Sequence, residues 1–134
     1  MTPAEAVQER TKPFFPGLLG LRFLEATADL VRAEIDVRPE LCTVPGIMHG
    51  GAIMAMADTL GAVGTVMNLP PGAGTTTIES KTNFFAPVPC PGKAIATCTP
   101  IHKGKRTLVW QTRIETEAGK LAALVTQTQM VLQQ

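Results

Sequence analysis

The sequence predicts an α+β domain in which a curved antiparallel sheet wraps one long central helix, with a short helix at the N-terminus. Three observations carry that expectation. An apolar run from Ala52 to Val63, interrupted only by Asp58 and Thr59, follows the pair Gly50-Gly51. Every stretch beyond Pro70-Pro71-Gly72 is rich in Thr, Val, Ile and aromatic residues at strand length. And 134 residues leave room for one core, which buries roughly two thirds of the surface that the unfolded chain exposes. A helix and a sheet each need a partner for their apolar faces, and curling the sheet around the helix serves both.

Thr2-Pro3-Ala4-Glu5 places a hydroxyl at an N-cap, proline at the first helical position and an acid three residues after the cap, which predicts a helix to about Lys12, stopped by Pro13 and Pro16. Leu21 to Ala28 and Leu30 to Val37 alternate apolar with polar residues and read as two half-buried strands joined at Asp29. Arg38-Pro39 ends the second. Leu41 to Met48, containing Pro45-Gly46, reads as a loop, and Gly50-Gly51 leads into the long helix, which closes before Pro70. Thr75 to Phe85, Lys93 to Ile101, Thr107 to Glu117 and Leu121 to Leu132 then read as a four-stranded meander, broken at Pro87 to Gly92, at Lys103-Gly104-Lys105 and at Ala118-Gly119. No repeat or low-complexity linker divides residues 1–134, so they form one domain, with 1–16 as its N-terminal helix and linker.

Twelve basic and 11 acidic side chains nearly cancel, so no global field draws in nucleic acid or an anionic membrane. Cys42, Cys90 and Cys98 are an odd set without a Cys-x-x-Cys pair, which points to reduced thiols in a cytoplasm and away from a disulfide framework. With His102 as the only histidine besides His49, a metal site has little to build on. No basic, apolar leader follows Met1. Ala52 to Leu69 reaches the length of a membrane span, but Asp58 near its middle and the glycines and Asn68 within it argue for a buried helix in a soluble protein.

Asp58 is the only formally charged side chain between Glu40 and Glu79. An ionised group in apolar surroundings is costly unless something uses it, and such acids gather at functional sites, the alternative being a cap for a neighbouring element. Two glycines at a helix start leave backbone N–H groups unpaired and unshielded at the positive end of the dipole, a place that can hold an oxyanion, although the pair also suits a plain tight turn. Eight residues from Gly50 to Asp58 are about 12 Å of helical rise. The two groups of one chain therefore cannot act on one carbonyl. A two-fold dimer with antiparallel helices would bring each Gly50 turn to the partner's Asp58 and create two identical shared sites.

His49-Gly50-Gly51, the acid eight residues after Gly50, the order of strands and helix, and the turn Lys103-Gly104-Lys105-Arg106 together resemble the hotdog-fold acyl-CoA thioesterases, in particular the phenylacetate-degradation-like branch, over about Gly17 to Leu132. The resemblance implies hydrolysis of acyl-CoA to free acid and CoA. The Gly50 N–H would polarise the thioester carbonyl, with Gly51 beside it against the substrate, and Asp58 of the partner subunit would attack or activate water. It implies no cofactor, since CoA belongs to the substrate, and a homodimer that pairs again into a homotetramer. Thioester hydrolysis passes through an oxyanion that preorganised N–H donors stabilise, and a carboxylate can serve as nucleophile or base.

Relatives often carry Asn six residues before the motif's His; here that position is Thr43, with shorter reach and one donor fewer. They also often place Ser or Thr on the strand after the helix. Thr77 aligns there, with Thr76 one residue off, so a register slip would exchange them; ordinary strand propensity is the plainer account of all three threonines. His49 is read first as a structural residue that bonds loop backbone and sets the turn, and second as a general base. Lys103, Gly104, Lys105 and Arg106 form a solvated hairpin tip or, given the resemblance, a clamp for the phosphates of CoA. Met48, Met54, Met56, Met67, Phe84 and Phe85 either line an acyl pocket or fill the core. Two other readings stand beside hydrolysis: a non-catalytic acyl-CoA sensor, and a hydratase or dehydratase, whose usual His and acid spacings do not occur around His49.

Overall fold

A computed structural model describes residues 1–133 of the chain. Helix α1 (Pro3–Thr11) starts where the sequence places it, through a complete capping box. Thr2 Oγ1 accepts the Glu5 N–H at 3.1 Å and the Glu5 carboxylate accepts the Thr2 N–H at 3.3 Å. Helical structure does not end at Pro16, however. That proline sits in the first turn of a second helix, α2 (Phe15–Leu19), where a missing N–H costs nothing, and Gly20 closes it at φ 77°.

Strands β1 (Arg22–Ala26) and β2 (Val31–Val37) are shorter than expected, because the Thr27 hydroxyl accepts the N–H groups of Asp29 and Leu30 and folds the intervening residues into a turn. The expected loop from Leu41 to Met48 contains structure of its own. A 3-10 turn over Pro39–Leu41 leads into a small hairpin of β3 (Cys42–Thr43) and β4 (Ile47–Met48), closed by Gly46 at φ 121° donating to the Thr43 carbonyl at 2.7 Å. The long helix α3 (Gly50–Val66) follows, then β5 (Gly74–Phe84), β6 (Gly92–Lys103), β7 (Thr107–Thr116) and β8 (Leu121–Leu132). Among the described residues no helix is long and apolar enough to cross a membrane. Cys42, Cys90 and Cys98 are free.

The six long strands form one antiparallel sheet in the order β1-β2-β6-β7-β8-β5. This corrects the four-stranded meander: only β6, β7 and β8 follow one another. Strand β5 pairs with β8, Gly74 opposite Leu132 and Phe84 opposite Ala123, while β2 takes the place beside β6. The connection from β5 to β6 carries Pro87, Pro89 and Pro91, which cannot continue a ladder, and it runs past the end of the sheet with Val88 buried and Pro89 bridged to Ile47.

Helix α3 lies in the concave face. Its buried residues Ile53, Met56, Ala57, Leu60, Gly61, Gly64 and Thr65 recur every three or four positions, one stripe of a 3.6-residue helix. The approach to the sheet is close enough to need glycine. A Cβ on Gly64 would lie 2.8 Å from the ring of the fully buried Trp110, whose Nε1 donates to Thr65 Oγ1 at 2.8 Å. On β2 and β7 alternate residues point into this core, whereas most of the edge strand β5 is exposed.

Candidate active site

Asp58 sits one residue past the buried Ala57, on the flank of α3 that meets β5. The Thr77 hydroxyl donates to Asp58 Oδ1 at 2.5 Å. Thr77 in turn accepts from Gln129 Nε2 at 2.5 Å, Gln129 being its register partner on β8. The same nitrogen donates to Gln127 Oε1 at 2.7 Å, and Gln127 Nε2 donates to the Ala57 carbonyl at 2.7 Å. The Thr75 hydroxyl occupies Gln129 Oε1 at 2.9 Å. These hydrogen bonds leave α3 at Ala57 and return to it at Asp58. Strand alternation turns Thr76 to the opposite, exposed face, so Thr77 is the threonine brought to the acid; a bulge at Ile78 then shifts the register before Glu79.

Asp58 also lines a cleft of about 390 Å³ between α3 and the N-terminal helices. Val63 and Val66 of α3 and its C-cap Met67 supply apolar wall, Val7 and Pro16 supply it from the other side, and Arg10 is its one basic residue. Of the candidate pocket residues, Met48 and Met56 belong to the core instead, and Phe84 and Phe85 are exposed.

At the helix start His49 is the N-cap. Its Nδ1 accepts the Gly51 N–H at 2.7 Å, and its carbonyl accepts the N–H groups of Ala52 and Ile53. A ring nitrogen that accepts carries no proton, which places the proton of neutral His49 on Nε2. Among the described residues the Gly50 N–H meets no acceptor. The Phe84 ring covers Gly50 so closely that a Cβ there would stand 3.2 Å from Cζ. With Gly50 and Asp58 on one unbroken helix, the rise of about 12 Å separates them as the sequence implies.

Thr43 is exposed on the β3–β4 hairpin, in a hollow shared with Cys42 and Cys90 and separate from the Asp58 cleft. The basic turn borders a cleft of about 500 Å³, where Lys103, Gly104 and Lys105 face Asn68 to Ala73. Lys103 is not a free cation there, since its Nζ contacts Asp29 Oδ1 at 2.5 Å; Lys105 and Arg106 are exposed beside it. Met67 lines the Asp58 cleft and Asn68 this one, so the two flank the C-terminal end of α3. Among the described residues no three His, Cys, Asp or Glu side chains gather as a metal set.

Sequence reasoning missed Gln127 and Gln129. The signal was present, because period-two alternation on β8 puts both amides in phase with Ala123 and Val125, on the core face.

A helix seated in a curved sheet, with an acid on its flank and glycines at its start, is the arrangement of the hotdog-fold thioester hydrolases. The chain belongs to the thioesterase superfamily, whose family model matches residues 45–123, more than half of its length. It is 29% identical over 102 residues to the proofreading thioesterase EntH of Klebsiella pneumoniae, covering 76% of this chain and 74% of that one. A solved thioesterase from Haemophilus influenzae superposes with a TM-score of 0.93 at 27% identity, over 99% of this chain and 92% of its own. The PaaI protein of the Escherichia coli phenylacetic acid degradation operon, at 19% identity and a TM-score of 0.83 over 96% and 92% of the two chains, shares the fold.

Proposed function

We propose that the protein is an acyl-CoA thioesterase whose active sites are shared between the subunits of a homodimer. One observation carries this reading: α3 holds a hydroxyl-bound carboxylate against a largely apolar cleft and, about 12 Å away along the same helix, a Gly50 N–H that meets no acceptor among the described residues. A rigid helix cannot bring its own two groups to one carbonyl, whereas a two-fold related copy can. Strand β5 supports the pairing. It is an 11-residue edge, mostly exposed, carrying the exposed apolar side chains Ile78 and Phe84, and such an edge is a ready template for another chain.

In the dimer the Gly50 N–H of one protomer, at the positive end of α3, receives the thioester oxygen, and Gly51 leaves room for the chain behind it. The partner's Asp58 attacks the carbonyl carbon, or takes a proton from the water that does. Collapse of the tetrahedral intermediate breaks the C–S bond and expels CoA as its thiolate, which takes the proton that Asp58 drew from water or, on the route of direct attack, one from solvent. The acyl group leaves as the free acid, directly or after water opens the anhydride formed with Asp58. Thr77 fixes one carboxylate oxygen, and the apolar wall of the Asp58 cleft takes the acyl group. His49 acts through its cap on the turn, and the Thr43 hydroxyl offers a hydrogen bond from the hairpin ahead of it. Lys105 and Arg106, with Gly104 between them and Lys103, hold the CoA phosphates, and Lys103 serves by bracing the turn against Asp29. Three free thiols fit a cytoplasmic setting.

The test is release of free thiol from a panel of aromatic and straight-chain acyl-CoAs. Wild-type release that disappears in Asp58→Ala supports hydrolysis. Binding with no thiol release by the wild type would make the protein a sensor, and loss of enoyl absorbance without thiol would make it a hydratase. Mixing inactive Asp58→Asn with an inactive Gly50→Val variant tests sharing: heterodimers regain one intact site of two, so an equal mixture should recover about a quarter of wild-type activity. No recovery on subunit exchange would place both groups in one chain.

A further inference from the structure

The two buried glutamines of β8 are joined to Asp58 by a path of hydrogen bonds from the Ala57 carbonyl in which each amide has one orientation. The Ala57 carbonyl can only accept, so Gln127 must turn Nε2 toward it, at 2.7 Å, and Oε1 toward Gln129. Gln129 must then present Nε2 to Gln127 at 2.7 Å, and its second N–H reaches Thr77 Oγ1 at 2.5 Å. Its Oε1 accepts from the Thr75 hydroxyl at 2.9 Å, a hydroxyl that also reaches the Met130 carbonyl at 3.0 Å. With a lone pair of Thr77 so engaged, its one hydroxyl hydrogen is left for Asp58 Oδ1 at 2.5 Å. Both amides are buried, Gln127 1% and Gln129 0% exposed, so water does not compete for these bonds. The amide of Gln127 fits beneath the helix only because Gly61 has no Cβ; one added there would overlap all three amide heavy atoms. Gln127 and Gln129 lie beyond residues 45–123, the segment matched by the family model.

We propose that Gln127 and Gln129 are positioning residues that set the hydroxyl proton of Thr77 toward Asp58, holding Oδ1 and committing Oδ2 to the thioester. The glutamines hold protons and do not pass them on, because an amide at neutral pH neither gains nor loses one. This inference rests on the reading that Asp58 attacks the thioester or activates water.

A double-mutant cycle on thioester turnover tests it. Gln129→Met removes the donor to Thr77 at similar length, and Thr77→Val removes the hydroxyl; each alone should lower kcat about tenfold to a hundredfold with KM little changed. Because both act through one proton, the double variant should be no slower than the worse single variant. Losses that multiply in the double variant would overturn the proposal, since the two residues would then act on turnover independently of one another. If Gln129→Met does not fold, Gln127→Met keeps the bond to Thr77 but frees the Gln129 amide to flip, and its kcat loss should likewise vanish in a Thr77→Val background. A readout without catalysis separates this idea from the one it rests on. In glutamine-labelled protein the side-chain ¹⁵N–H₂ signals of Gln129 should move in Asp58→Asn, where Thr77 meets a changed acceptor. Unmoved signals refute the positioning role. Moved signals together with a fully active Asp58→Asn keep the positioning role and refute the catalytic role of Asp58.

Discussion

Gly61→Ala should destabilise this protein, although the same change in an ordinary helix stabilises it by about 1 kcal/mol. Gly61 lies at the buried centre of α3, and its added Cβ would overlap the Gln127 amide. That amide cannot swing away without leaving the Ala57 carbonyl and Gln129 Nε2, to which it is bonded at 2.7 Å each. Buried groups stripped of partners cost about 1–3 kcal/mol each, and overpacking alone costs about 1–3 kcal/mol. Set against the propensity gain, the net loss is about 2–4 kcal/mol. For a chain of 134 residues this lowers the melting temperature by about 8–15 °C. Urea unfolding with an unchanged m-value measures it directly. The double variant Gly61→Ala/Gln127→Ala removes the obstructing amide and should lose less than the sum of the two single losses, by about 1–2 kcal/mol. A Gly61→Ala variant as stable as wild type, or strictly additive losses in the double variant, would refute the reasoning.

Other expectations follow from neighbouring features. Charge reversal at both Lys105 and Arg106 should raise KM for CoA esters about tenfold, about 1.4 kcal/mol, with kcat nearly constant; an unchanged KM removes the turn from the site. Burial pushes the Cys98 thiol up from 9.0 to about 11, so the folded chain keeps a proton that the unfolded chain gives up first. Stability tied to this thiol is complete below about pH 9 and is lost at up to ~1.4 kcal/mol per pH unit as pH rises toward 11, which urea midpoints at pH 8 and pH 10 should show for wild type and much less for Cys98→Ala. Thr2→Ala removes the side-chain cap of α1 and should weaken that helix by about 1 kcal/mol, seen as faster amide exchange in Pro3–Thr11.

The elements most legible in the sequence are those fixed by local chemistry. The capping box at Thr2 and Glu5, the glycine entry to α3 and the strand β8 fall where residue pattern places them, because each is decided within a few neighbours. Pairing order is not local. Nothing in the sequence of β5 states that it joins β8 at the far edge, since that depends on the path of the proline-rich connection and on β2 already occupying the side of β6. The site divides similarly. Asp58 stands out because a charge in an apolar run is visible one residue at a time, whereas choosing Thr77 over Thr76 needed the register against Gln129. Lys103 reads in the sequence only as part of a basic turn, a solvated tip or a phosphate clamp, because its partner, Asp29, is 74 residues away in the chain.

The small residues of α3 also connect fold to function. Gly61 and Gly64 let the helix sink onto Gln127 and Trp110, and depth is what brings Asp58 within reach of Thr77. A helix held that firmly cannot bend to bring Gly50 and Asp58 together, so under the proposed mechanism the packing that orients the acid also denies it the oxyanion donor of its own chain. Two requirements then meet at the edge strand. Strand β5 supplies the threonine that holds Asp58 and, ten residues from its start at Gly74, the Phe84 that covers Gly50. In the proposed dimer, a copy of the chain that pairs along β5 would therefore be registered against both groups at once, and a change that weakens the dimer should lower kcat in proportion to the dimer lost, leaving the turnover of the remaining dimers intact.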